Sequence, residues 1–327
     1  MHGGAISLAK QFNELTEKPD LILATSMLDF TTFIALTREK SKGIPTAIYF
    51  HENQITYPWS PQDRDVKHKR DNHYGFINYT SALVSDSVLF NSVYHKNSFI
   101  DALPSFINQF PDKQGKENIE LIAQKAKVLS LGLDLYKFED VKRKAHQKNG
   151  DPIILWNHRW EYDKRPKEFF EALFTLKEKG IAFKLVVLGG QNDVNPPIFD
   201  EAKSKLSNEI LHWGYVEHFK QYAEWLWKAD ILPVTSNQDF FGGSVVEAMY
   251  CNCYPILPNR LAYPDHLPDQ LHSEHLYEEG ELISKIEAAI QEVNLIRGRE
   301  YKSLVEKYDW TKMIQEYDQS MYDIFNL

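Results

Sequence analysis

Short runs of consecutive Val, Ile and Leu recur along the chain, separated by longer segments whose apolar positions are spaced for a helix. In the first half these runs are Leu21–Ser26, Thr46–His51, Ser87–Ser92 and Lys127–Gly132. The second half carries Ile153–His158, Lys184–Gly190, Ile210–Tyr215, Asp230–Ser236 and Cys253–Pro258. Unbroken apolar strands, rather than alternating ones, are what a parallel sheet covered on both faces requires, and the helix-length segments supply the crossovers. The pattern predicts two α/β domains of doubly wound, Rossmann-like type. Between the two series lies the charged stretch Phe138–Lys148, followed by Asn149-Gly150-Asp151-Pro152. Read as a linker, it gives an N-terminal domain over 1–147 and a C-terminal domain over 148–327. Lys302–Phe325 reads as C-terminal helix broken near Asp309-Trp310-Thr311, with Asp309 or Thr311 as the cap. The opening MHGGAISLAKQFNEL is an amphipathic helix candidate without the apolar stretch of a signal peptide.

Composition changes the picture in three places. With 327 residues, 43% of them hydrophobic, there is ample apolar material for two packed cores. The net charge of −9, from 37 Lys and Arg against 46 Asp and Glu, argues against a protein that coats nucleic-acid phosphates. It leaves room for one local contact, and Asp63–His73 holds Lys67, His68, Lys69 and Arg70, either a solvated face or a phosphate-binding patch. Cys251 and Cys253 are the only cysteines, too few for a zinc site and too close for an ordinary disulfide, which fits a reducing compartment. No apolar stretch reaches the roughly 18 residues of a membrane span. A soluble, cytoplasmic protein is expected.

In open α/β sheets ligands sit beyond the carboxyl ends of the strands. That rule nominates His51-Glu52-Asn53-Gln54, Asn91-Ser92, Asn157-His158-Arg159, Gly189-Gly190, Gly214-Tyr215 and Ser236–Gly243. Two such domains face to face would hold a ligand in the cleft between them. The strongest segment runs from Asp239 through Gly242, Gly243 and Ser244 to Glu247: a strand, a polar turn with two glycines, then a helix. Amides at a helix start with glycines beside them suit a phosphate, and the two flanking acids suit hydroxyl groups. The same residues also fit a plain glycine turn with Glu247 near a helix dipole. Arg159 and Lys164, after the first strand of the second domain, can neutralise a diphosphate, or pair with Glu161 and Asp163 as a solvated loop. His51 can orient a sugar oxygen and Asn53 and Gln54 offer hydrogen bonds of both senses, unless this turn only satisfies its own backbone. No set of metal ligands is spaced for a site, and neither a Walker A nor a G-x-G-x-x-G sequence after the first strand is present.

The spacing Asp239–Glu247 resembles the E-x7-E element of retaining GT-B glycosyltransferases of family 4, with Asp in place of the first Glu. Arg159 and Lys164 match the Arg-x4-Lys pair of that class. HENQITYP, YGFINYTSALVSDSVLFNSVYHKNSF, WNHRWEYDKRP, HWGYV and FFGGSVVEAMYCNCYPILPNRLAYP narrow the likeness to the glycosyltransferase-like-domain family of tRNA-queuosine α-mannosyltransferases. The resemblance spans His51 to Pro264. It implies that Arg159 and Lys164 hold the donor diphosphate with amides around Gly242, Gly243 and Ser244. Glu247 would take the ribose hydroxyls, Asp239 the sugar hydroxyls, Tyr215 and Val216 the base, and His51 the transferred sugar. The cleft residues Glu52, Asn53, Gln54, Asn91 and Ser92 fall to the acceptor side. Family members open with a strand and a glycine loop, whereas MHGGAISLAKQF resembles a segment that follows them, so the first domain is expected to lack its N-terminal strand.

The implied activity is retaining transfer of a hexose, by resemblance mannose from GDP-mannose, to a hydroxyl of queuosine in tRNA. No cofactor or metal is expected, since the nucleotide sugar is a substrate. The tRNA would be met through the Lys67–Arg70 patch. Transfer to a lipid or polysaccharide, and a non-catalytic nucleotide-sugar or RNA binder, are the competing expectations. On the first reading, Lys164→Ala or Glu247→Ala abolishes transfer with the fold intact.

Overall fold

The computed structural model describes residues 2–58, 72–112, 114–142, 148–190 and 195–327. All nine expected strands form, each shorter than its expected run, and the fourth starts one residue early, at Ala126. The patch Lys67–Arg70 lies outside the described residues.

The chain divides into two compact units, one of residues 1–131 with 313–327 and one of residues 132–312. The first unit opens on α1 (His2–Glu14) and carries β1 (Ile22–Thr25), α2 (Phe30–Ser41), β2 (Thr46–Phe50), α3 (Asn72–Val84), β3 (Ser87–Phe90), α4 (Val93–Ile107), α5 (Glu117–Lys125) and β4 (Ala126–Val128). The strands are parallel and lie in the order β1-β2-β3-β4. Alternation along β2 and β3 splits their side chains between two cores. Ile48, Phe50, Val88 and Phe90 pack with Phe99, Leu103, Phe106 and Ile122 from the helices.

Ala47, Tyr49 and Leu89 point to the other face, where Met313 and Ile324 of the C-terminal helix cover them. That helix, Trp310–Phe325, is therefore not an appendage of the second domain as expected. The reason is its stripe Met313, Tyr317, Met321 and Ile324, spaced for one helical face and matched to a sheet face that would otherwise stand bare. Tyr317 also donates to the Ser130 carbonyl at 3.0 Å.

The second unit begins at Gly132, upstream of the expected 147/148 boundary. Phe138 explains the shift: it is fully buried, stacks edge-on against Phe219 at 4.9 Å, and its carbonyl accepts from Trp227 Nε1 at 2.9 Å. Beyond α6 (Glu139–Lys142) come β5 (Ile153–Trp156), α7 (Pro166–Glu178), β6 (Lys184–Leu188), α8 (Ile198–Lys205), β7 (Ile210–Gly214) and α9 (Phe219–Lys228). Then follow β8 (Ile231–Pro233), α10 (Gly243–Tyr250), β9 (Tyr254–Pro258), α11 (Asp269–His275) and β10 (Leu276–Tyr277). The parallel order is β10-β9-β8-β5-β6-β7, so strand progression reverses between β5 and β8. A doubly wound sheet binds its ligand at that reversal.

Asp309 closes the second unit. Its Oδ1 accepts from the Thr311 amide at 2.9 Å, capping the last helix, and its Oδ2 accepts from the Leu135 and Tyr136 amides at 2.8 and 2.9 Å. Burial alone would raise its pKa, but these hydrogen bonds outweigh it and hold the carboxyl below the ordinary 3.8. A depressed carboxyl stabilises the fold above its unfolded pKa and loses that contribution as pH falls through the folded value. Asp309→Ala is expected to cost about 1–3 kcal/mol at neutral pH. In denaturant titrations the deficit should narrow only below pH 3.8.

Candidate active site

At the reversal point, β5 ends in Asn157-His158-Arg159 and β8 leads through Thr235 and Ser236 to the glycine turn. The loop after β5 folds back on the end of β8. The Asn237 amide donates to the Asp163 carbonyl at 2.7 Å, and Thr235 Oγ1 donates to the Lys164 carbonyl at 2.8 Å. Arg165 turns the chain into α7 with a left-handed φ of 49°. Lys164 is thereby buried, with its Nζ 3.1 Å from Asp239 Oδ1 and 3.3 Å from Asp163 Oδ2, and it donates to the Gln238 carbonyl. Arg159 is by contrast largely exposed and pairs with Glu161 at 3.2 Å. Both pairings foreseen for a merely structural loop thus occur, and a third, Lys164 to Asp239, joins the two expected site segments.

Asp239 is held on both oxygens, since Tyr263 OH donates to Oδ2 at 2.5 Å. Burial, with Asp239 beside it, pushes the Tyr263 phenol well above its usual range, so it acts as a neutral donor. Gly242 has a φ of 84°, and a Cβ there would lie 3.2 Å from Tyr263 Cε1. Glycine serves both the backbone and the close ring. The α10 ladder begins with Val245 and Val246 donating to the Gly242 carbonyl, so the Gly243 and Ser244 amides stand outside it at the positive end of the helix.

Glu247, one turn in, accepts from Tyr222 OH at 2.7 Å. Burial raises its pKa, against the lowering effects of the Tyr222 hydrogen bond and of Lys137. Asn157 Nδ2 donates to the Ser244 carbonyl at 2.7 Å, and His158 Nδ1 lies 3.2 Å from Ser244 Oγ. The backbone of His158 is tightly fitted. A Cβ on Gly189, whose φ is 116°, would sit 2.4 Å from the His158 carbonyl oxygen. Gly189→Ala is expected to destabilise the second unit by about 1–3 kcal/mol, read as a lowered unfolding midpoint.

Arg159, Lys164, Asp239, Gly242, Gly243, Ser244 and Glu247 therefore lie on the β5 and β8 ends and the α10 start. Tyr215 and Val216 lie apart, after β7, with the Tyr215 ring exposed near Gly190. In the first unit, the His51 ring packs at a tilt against Tyr49 with ring centres 4.7 Å apart, and its carbonyl accepts from Asn91 Nδ2 at 3.0 Å. The other acceptor-side candidates have local hydrogen bonds. Asn53 Oδ1 caps its own turn through the Ile55 and Thr56 amides, and Gln54 Nε2 donates to Glu52 Oε1. Asn91 Oδ1 lies 2.8 Å from His95 Nδ1, and Ser92 Oγ accepts from the His95 amide as the α4 cap. Tyr222 and Tyr263, which orient the two acids, carry no signal in the sequence, because only the fold brings them there.

Residues 1–133 match the family model of the tRNA-queuosine alpha-mannosyltransferase N-terminal region, and residues 137–294 match that of glycosyl transferases group 1. The tRNA-queuosine alpha-mannosyltransferase of Drosophila melanogaster is 35% identical over 271 residues, 81% of this chain and 69% of the fly protein. The chain belongs to this family. It is a glycosyltransferase, and its two parallel-sheet α/β units have the GT-B fold. Sucrose-phosphate synthase of Thermosynechococcus elongatus superposes with a TM-score of 0.70 over 99% of this chain and 77% of that one, at 14% identity. Anabaena HepE in complex with UDP gives 0.67 over 98% and 82%, at 15% identity. No helix among the described residues is long and apolar enough to cross a membrane.

Proposed function

We propose that this chain transfers mannose from GDP-mannose to a queuosine hydroxyl in tRNA with retention of configuration at the sugar. The observation that carries this reading is the match of residues 1–133, the half that does not hold the β5–β8 site, to the queuosine mannosyltransferase model. The second half matches a model common to many sugar transfers and so speaks for the donor type rather than the acceptor.

The β5–β8 geometry suits such a donor. Arg159 and Lys164 meet the diphosphate, and the Gly243 and Ser244 amides add fixed dipoles aimed at its charge. Glu247, held by Tyr222, takes the ribose hydroxyls, and Asp239, held by Lys164 and Tyr263, takes sugar hydroxyls. Tyr215 and Val216 serve the base, and His51 and its neighbours serve the transferred sugar and the acceptor. In the transfer, the bond between the sugar anomeric carbon and the β-phosphate oxygen breaks while the acceptor oxygen bonds to that carbon from the same face. The acceptor proton passes to the departing phosphate oxygen, and no enzyme nucleophile enters. The donor is a substrate, so no resident cofactor is part of the reading. A tRNA-modifying role places the protein in the cytoplasm, with Lys67–Arg70 as the tRNA contact.

Thermal shift against GDP, UDP, GDP-mannose and UDP-glucose tests the donor, because a ligand that binds only the folded state raises the melting temperature. A shift with the two guanine nucleotides alone is expected. Transfer of labelled mannose to tRNA carrying queuosine, and none to tRNA with guanosine at that position, is the second expected result. A shift confined to uridine nucleotides would defeat the donor assignment.

A further inference from the structure

The anion site at the start of α10 has a polar neighbour whose outer atom has no partner. His158 is 4% exposed, and its Nε2 is buried without a hydrogen bond among the described residues. Gln238 Nε2, on the residue before Asp239, is buried and unpartnered as well. Buried N–H groups left without an acceptor are rare in folded proteins, and each costs the free energy of its lost hydration. Both stand beside the glycine turn, where an oxygen-rich ligand would give them acceptors.

The imidazole is neutral, and Nε2 is its nitrogen without a partner among the described residues. Burial pushes its pKa down to about 4, with Asp239 pulling upward and Lys164 pushing down, so the ring is neutral at physiological pH. Ser244 Oγ lies 3.2 Å from Nδ1, and a hydroxyl that donates there puts the ring proton on Nε2. The ring is fixed from behind: Trp156 packs edge-on at 5.3 Å, and Trp156 Nε1 donates to the His158 carbonyl at 3.0 Å.

We propose that His158 Nε2–H is a neutral hydrogen-bond donor to the diphosphate of the nucleotide sugar, completing the site formed by the Gly243 and Ser244 amides. This rests on the donor reading given above. A neutral donor has a particular use here. Lys164 already faces two carboxylates, and a further cation would be drawn to Asp163 or Asp239, whereas an oriented N–H keeps its direction as charge grows on the leaving group.

Calorimetric titration of the full chain with GDP and with guanosine provides the test. His158→Phe keeps the ring and removes the N–H, and His158→Gln returns an amide nitrogen near the Nε2 position. His158→Phe is expected to weaken GDP about tenfold and leave guanosine unchanged, with His158→Gln within about threefold of the parent. The ratio of parent to His158→Phe affinity should stay constant between about pH 6 and 8, because the ring does not titrate there. Unchanged GDP affinity in His158→Phe, equal losses for GDP and guanosine, or no rescue by His158→Gln would overturn the assignment. If His158→Phe does not fold, Ser244→Ala replaces it, with a smaller loss confined to GDP expected and no loss overturning the proposal. A parent chain that binds no GDP brings down the donor reading itself, a separate outcome from a GDP-binding parent matched by His158→Phe.

Discussion

Lys164→Met should slow mannosyl transfer by about 100- to 1,000-fold, the usual consequence of removing one preorganised charge from a developing anion. The same change should also lower stability, and here the structure alters what the sequence suggests. Read as a loop cation, Lys164 is dispensable to folding. In the folded chain its ammonium is buried between Asp163 and Asp239, and Asp163 is 2% exposed. Removing the ammonium leaves carboxylates buried without their counter-ion, a loss of about 3–5 kcal/mol in comparable settings. The double variant Asp163→Asn with Lys164→Met relieves much of that penalty and should recover melting temperature without recovering transfer. Initial rates and calorimetric unfolding of the two variants separate the contributions. Normal turnover in Lys164→Met would remove Lys164 from the mechanism, and recovered turnover in the double variant would reduce its role to holding the fold.

The pairing of Lys164 also bears on how a diphosphate enters. Lys164 with Asp163 and Asp239 sums to a single negative charge, and Arg159 is balanced by Glu161. The loop therefore offers no surplus of positive charge in the unliganded chain. On the proposed reading, a bound diphosphate would compete with Glu161 for the exposed Arg159, a pair worth little because water screens it. It would leave Lys164 anchored by carboxylates that also fix Asp239. On that reading the neutral donors at the α10 start would carry a correspondingly larger share of the anion recognition.

This division shows what a sequence can reveal. The strands were legible because each is a continuous apolar run, and only the two-residue β10, Leu276–Tyr277, was too short to show a pattern. Arg159, Lys164, Asp239 and Glu247 stood out by spacing, since a helix start and a strand end convert sequence separation into position. The partners of those residues did not stand out. Tyr222 reaches Glu247 from α9, and Tyr263 reaches Asp239 from beyond β9, and no local rule links either pair. The misplaced boundary has the same origin. A charged stretch looked like a linker, but Phe138 within it is core, and the last helix is claimed by a sheet face formed hundreds of residues earlier.

Glu247 supports the second large prediction, because its charge state can be set by pH. Its pKa is raised above the ordinary 4.5 by burial, only partly offset by Tyr222 and Lys137. The sign follows from linkage. A carboxyl whose folded pKa is raised costs stability when ionised, and that cost is relieved as pH falls through the folded value. Ribose hydroxyls, however, are better held by the ionised form, since a hydrogen bond to a charged acceptor is worth about 1.5–3 kcal/mol. As pH drops toward the raised pKa of Glu247, GDP affinity should therefore fall while the unliganded protein gains the stability that ionisation had withheld. Glu247→Gln should weaken GDP by about 10- to 100-fold at neutral pH and abolish this pH dependence. Tyr222→Phe leaves the carboxylate in place but removes the hydrogen bond it accepts from the phenol, so a smaller loss is expected, with the pH dependence moved to higher pH. Affinity titrations of the parent and both variants across the acid range decide the matter. A Glu247→Gln chain that binds GDP like its parent, with the same acid dependence, would assign the ribose to another residue.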